Sequence, residues 1–84
     1  MNKKIINNKL YILSECEETK IYSHRGMYKK LYKTKKGNYL LYNGSFGDFG
    51  NGEYIEADIA EVKSFLAKWN TDLYLKMFGD IEVA

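Results

Sequence analysis

Strand formers and polar residues mix along the first half of the chain, and apolar positions recur at helical spacing near its end. Lys9-Leu10-Tyr11-Ile12-Leu13 reads as a strand, and Asn7-Asn8 before it can turn back onto Lys4-Ile5-Ile6. Ser14 is placed to cap a brief helical turn over residues 15–18, whose acids suit the positive end of a helix dipole. The clearest local pattern is a hairpin. Residues 28–33 and 38–42 flank Lys35-Lys36-Gly37. A three-residue loop with Gly37 in the left-handed conformation pairs Thr34 with Asn38 and Tyr32 with Leu40. That register puts Tyr28, Lys30, Tyr32, Leu40 and Tyr42 on one face, and Leu31, Lys33, Tyr39 and Leu41 on the other. Neither face is purely polar, so a helix is expected on one side and a ligand or a rim on the other.

Residues 43–52 hold four glycines and read as a loop, followed by a short strand over residues 53–56. Asp58-Ile59-Ala60-Glu61 has the pattern of a capping box, with Asp in place of Ser or Thr. Ile59, Val62, Phe65, Leu66 and Trp69 then form one face of an amphipathic helix, which assigns Trp69 to the core. Asn70 or Thr71 restarts a second short helix, and Gly79 ends it. Residues 80–84 add an edge strand or fray. The fold class is therefore α+β: a small antiparallel sheet with a C-terminal amphipathic helix packed on one face.

A chain of 84 residues forms one domain, spanning 1–84, with a thin core. Its 45% hydrophobic and 15% aromatic content excludes a disordered chain. Cys16 has no second cysteine to pair with, which suits a reducing compartment and a plain thiol. No apolar run is long enough to span a membrane, and the basic start lacks the apolar stretch of a signal peptide. A cytoplasmic protein with no membrane contact is expected. The net charge of +2 hides an asymmetry: residues 1–42 carry ten basic groups against three acidic ones, and residues 43–84 carry three against eight. Such a field steers a charged partner, or draws the two halves of the fold together.

Catalytic chemistry has little to stand on. His24 has no nucleophile setting around it, and Cys16 and His24 are too few to hold zinc. No catalytic residues, metal ligands or cofactor are expected. The glycine loop lacks the Gly-Lys-Ser/Thr of a phosphate-binding loop, and Asp48 puts negative charge where phosphate would sit. Two features point to binding. Phe46 and Phe49 sit on the polar loop, either as a lid folded onto the core or as apolar anchors for a partner. Arg25, Lys29, Lys30, Lys33, Lys35 and Lys36 interleave with tyrosines, and Tyr32 and Tyr39 are candidate base-stacking rings beside phosphate-binding lysines. The same lysines could serve only to keep a hairpin soluble and to guard a sheet edge.

The run Leu31-Tyr32-Lys33-Thr34-Lys35-Lys36-Gly37-Asn38-Tyr39-Leu40-Leu41-Tyr42, leading into a Gly-rich loop and a C-terminal helix, resembles a group of small proteins carried by phages and conjugative elements of low-GC bacteria. Lys9-Leu10-Tyr11 and residues 14–18 are similar to an upstream strand and acidic turn of that group. Residues 44–52 depart from its Gly-Gly-Pro-type loop. The resemblance implies a mobile-element-encoded binding protein that inhibits a bacterial defence system, of the anti-CRISPR kind. Its partner would be a host defence protein or nucleoprotein complex, with RNA or single-stranded DNA as a further ligand. The chain itself would be a monomer or weak dimer. The alternative is an RNA- or DNA-binding regulator of the element's own genes.

Overall fold

The computed structural model describes residues 3–45, 52–79 and 83. Four strands, β3 (Glu17–His24), β4 (Met27–Lys33), β5 (Tyr39–Ser45) and β6 (Glu53–Ala57), form an antiparallel sheet in that order. Two further strands, β1 (Lys3–Ile6) and β2 (Lys9–Ile12), form a separate hairpin. The helices α1 (Ile59–Trp69) and α2 (Thr71–Phe78) complete the fold.

Turn chemistry sets the registers. Asn7 and Asn8 both have positive φ (52° and 61°), the conformation that a two-residue hairpin turn matching the strand twist requires. Arg25 and Gly26, at 50° and 80°, do the same between β3 and β4. At the β4–β5 turn Gly37 has φ 89°, and the Thr34 N–H donates to the Asn38 carbonyl at 2.8 Å. Tyr32 then pairs with Leu40, as the sequence predicts.

The sheet separates two apolar clusters. Ile21, Leu31 and Leu41 meet Val62 and Leu66 of α1 on one face. Tyr32 and Leu40 meet Tyr11 of the β1–β2 hairpin on the other, with Tyr42 and Tyr54 beside them. Leu31, Leu40, Val62 and Leu66 are fully buried, each contributing about 1.5–3 kcal/mol relative to exposure. The α1 capping box forms as expected, the Glu61 N–H donating to Asp58 Oδ1 at 2.8 Å and the Asp58 N–H to Glu61 Oε1 at 3.0 Å. Asn70 caps α2 and also donates from Nδ2 to the Ile21 carbonyl at 2.8 Å, tying the helix joint to β3. Gly79 (φ 70°) ends α2. Trp69 is half-buried at the margin of the helix-side core, 5.1 Å from the Tyr22 ring.

Three expectations need correction. Ile59, expected on the core face of α1, is 45% exposed at the first turn of the helix. The acidic helix over residues 15–18 is instead a 3-10 turn (Leu13–Glu15) that runs into β3, and Ser14 caps nothing. Pairing wins over local capping because Glu17 and Glu18 lie opposite Lys33 and Tyr32 of β4. The loop expected over residues 43–52 begins later, since Asn43, Gly44 and Ser45 extend β5 against Met27–Lys29. Gly44 is there for space: a Cβ at Gly44 or at Gly52 would overlap the Tyr42 ring. The tail expected over residues 80–84 lies, except for Val83, outside the described residues.

Candidate functional site

Strand alternation divides the basic residues of β4 between opposite faces. Lys29 turns toward the helices and is 4% exposed, its ammonium 4.4 Å from the Trp69 ring centroid and 5.8 Å from that of Phe65. It donates to Asn43 Oδ1 at 2.5 Å. Burial, and then the nearby Lys68, lowers its pKa. Lys30 lies on the other face, half-buried, with Glu18 at 3.8 Å and the Tyr42 ring centroid at 5.9 Å. Both lysines are engaged inside the fold. Arg25 is exposed, but in the β3–β4 turn at the far end of β4, roughly 20 Å from the other turn at about 3.3 Å per residue.

The two tyrosines read as stacking rings are placed elsewhere. Tyr32 is 6% exposed beneath the hairpin, its ring 6.1 Å from that of Tyr54. Its hydroxyl pKa is raised by burial and by a hydrogen bond with Glu18. Tyr39 is half-buried and packs on the helix-side core. Neither presents an open face beside the lysines. Phe46 and Phe49 lie outside the described residues.

Three of the sequence-derived residues stay together and exposed: Lys33 at the end of β4, and Lys35 and Lys36 in the turn. The structure adds Lys9, which pattern reading passed over. Lys9, Lys35 and Lys36 stand around an open cleft of about 680 Å³. One wall is the whole of β2, residues 9–12; the other is Thr34, Lys35, Lys36 and Asn38. Glu15 and Cys16 complete the lining. Leu10, Tyr11, Ile12 and Cys16 make much of the lining apolar, and Leu10 remains 60% exposed. Glu15 approaches Lys35 at 4.0 Å, an exposed pair too long to neutralise the rim. Burial, then Glu15, raises the Cys16 pKa, so this thiol stays protonated and its Sγ–H donates to the Ile12 carbonyl at 3.4 Å.

Glu56 holds the cleft's β2 wall in place. Its carboxylate accepts from Asn7 Nδ2 at 2.7 Å and from the Tyr11 hydroxyl, and Lys9 Nζ stands 3.3 Å away. The Asn7 and Tyr11 hydrogen bonds lead in pulling the Glu56 pKa down to about 2. Tyr11, 2% exposed, is pushed up to about 12 by burial first and by that bond second. Lys4 stands over the Tyr54 ring at 5.2 Å. β1 therefore lies toward Tyr54, and β2 toward the β4–β5 turn. Among the described residues no group of three or more His, Cys, Asp or Glu could hold a metal, and no helix is long and apolar enough to cross a membrane.

No family model matches the chain, and neither a curated protein nor a solved structure does.

Proposed function

We propose that this chain is a non-catalytic binding protein, encoded by a mobile element, that inhibits a bacterial defence system of the CRISPR kind by engaging the protein surface of its effector. The context comes from the hairpin motif of residues 31–42. The observation that carries the binding reading is the exposed lysine tip: Lys33, Lys35 and Lys36, joined by Lys9, on a hairpin of fixed register. A rigid, cationic projection recognises an acidic surface by charge and shape, and steers its encounter.

Tyr32 and Tyr39 bear on the choice of partner. With Tyr32 buried and Tyr39 packed on the helix side, the lysines have no aromatic platform for unpaired bases. That favours a protein surface over single-stranded RNA or DNA, and over a role as regulator of the element's own genes.

The test is phage plating on a host whose CRISPR system blocks infection. Expression of the chain should restore plaques, and changing Lys33, Lys35 and Lys36 together to Gln should abolish the effect without lowering the melting temperature. An unchanged block with the intact chain overturns the inhibitor reading. Tight, steeply salt-dependent binding to an RNA or DNA oligonucleotide would favour the nucleic-acid reading instead.

A further inference from the structure

Among the described residues β2 pairs with β1 and with no other strand. The two-residue turn at Asn7-Asn8 makes Ile6 and Lys9 a hydrogen-bonded pair, and bonding recurs at every second position. Lys9 and Tyr11 therefore spend their backbone groups on β1, while the N–H and C=O groups of Leu10 and Ile12 point to the open side. That open side is a wall of the cleft, since all four residues of β2 line it. The Ile12 carbonyl takes the weak Sγ–H bond of Cys16, which leaves both N–H groups and the Leu10 carbonyl for an incoming strand.

The β3 edge of the four-stranded sheet is guarded. β3 carries a register shift between Lys20 and Tyr22 and an outer set of charged side chains, two ordinary protections against strand addition. β2 has neither. It presents Leu10, whose cross-strand neighbour Ile5 is 77% exposed, and so offers apolar contact as well as backbone bonds. The opposite wall brings Lys35 and Lys36, with Lys9 at the near rim and Glu15 as the acid of the lining.

We propose that the cleft takes an extended, acidic segment of a partner protein, which adds to the open edge of β2 as a third strand. Its backbone pairs with Leu10 and Ile12. Its apolar side chains, at alternate positions, rest on Leu10, Ile12 and the Cys16 margin, and its carboxylates meet Lys35 and Lys36, Lys9 being already paired with Glu56. Main-chain bonds supply affinity and the lysine rim selects for acid, the ordinary division of labour in strand addition. This assignment rests on the protein-binding reading above and names the part of the partner that is bound.

A synthetic peptide of about ten alternating Glu and Val residues, long enough to pair along all of β2, serves as the probe. Binding is followed by backbone amide NMR. The Leu10 and Ile12 amides should shift and become slow to exchange, and changing Lys35 and Lys36 to Gln should weaken binding about tenfold or more. N-methylating the peptide at alternate residues should abolish binding while the protein is left untouched; Leu10→Pro should do the same from the other side. Retained binding by the N-methylated peptide, no binding at about 1 mM peptide, or tighter binding of a single-stranded RNA in the same cleft would each overturn strand addition. Plaque restoration that survives Leu10→Pro but not the lysine changes overturns it too, and leaves the inhibitor reading standing.

Discussion

At the scale of single residues, the fold places two groups under unusual demands. Lys29 keeps an ammonium among Trp69, Phe65 and Asn43, where the aromatic faces and one amide oxygen replace water. Asn43→Ala removes the oxygen and should cost about 1–3 kcal/mol in urea unfolding, because a buried charge then lacks an acceptor. Lys29→Met keeps the stem and the volume and removes the charge, so it should be near neutral. A large loss with Lys29→Met would mean that the ring–cation contacts dominate. Gly44 makes the opposite demand, for the absence of atoms. Gly44→Ala pushes a methyl into the Tyr42 ring, which packs against Tyr54 at 4.8 Å between centroids. The change should cost about 1–3 kcal/mol, and much less in a Tyr42→Leu background. Equal costs in the two backgrounds would assign the loss to the backbone instead of the ring. Sequence pattern reads Gly44 as part of a loop, since a glycine kept for space looks the same on paper as one kept for a turn.

At the scale of elements, what was legible depended on how local its cause is. The β4–β5 hairpin, its register and the positive φ of Gly37 follow from residues within one turn of each other. The α1 capping box and the apolar face of Val62, Phe65, Leu66 and Trp69 follow from local sequence, whereas Ile59, which the same spacing puts on that face, is exposed at the first turn of the helix. β3 was missed because Glu17 and Glu18 carry no strand preference; their partners, Lys33 and Tyr32, lie across the sheet. The cleft was missed for a similar reason. Lys9 and Lys35 are far apart in sequence, and only the crossing of the β1–β2 hairpin over the Tyr32–Leu40 face brings them to one rim. The basic residues that could be read in sequence were in turn split by alternation, Lys29 and Lys30 being drawn into opposite faces. The helix joint offers a test of such long-range ties. Asn70→Ala removes both the α2 cap and the bond to the Ile21 carbonyl, whereas Asn70→Asp keeps the cap and loses the donor. Thermal unfolding should show a loss of about 1–2 kcal/mol for the Ala variant. A full-sized loss in the Asp variant would put the weight on the bond to β3.

At the scale of the whole molecule, the hairpin and the sheet are joined through ionisable groups, so their union depends on pH. Glu56 titrates near 4.5 when unfolded and about 2 when folded, so its contribution is complete above 4.5 and lost as pH falls toward 2. Tyr11 moves from 10.0 to about 12, so its contribution is complete below 10 and lost as pH rises toward 12. Amide protection in β1 and β2, relative to unstructured chain at the same pH, should therefore fall in both windows ahead of protection in β4 and α1. Glu56→Gln should remove the acid window while the alkaline one persists. Uniform exchange across all elements would show that the hairpin does not open separately. The order of the strands has a consequence for the chain as it is made. Each strand pairs with a neighbour in sequence, so β1–β2 and then β3–β4–β5–β6 can assemble by closing short loops as residues emerge from the ribosome. The Tyr32–Leu40 face is covered by segments already synthesised, but Leu31 and Leu41 must wait for Val62 and Leu66. Until α1 arrives, the nascent protein carries a finished sheet with one bare apolar side. A stop codon placed before Ile59 should therefore yield a product that aggregates or is held by chaperones, although all six described strands are present.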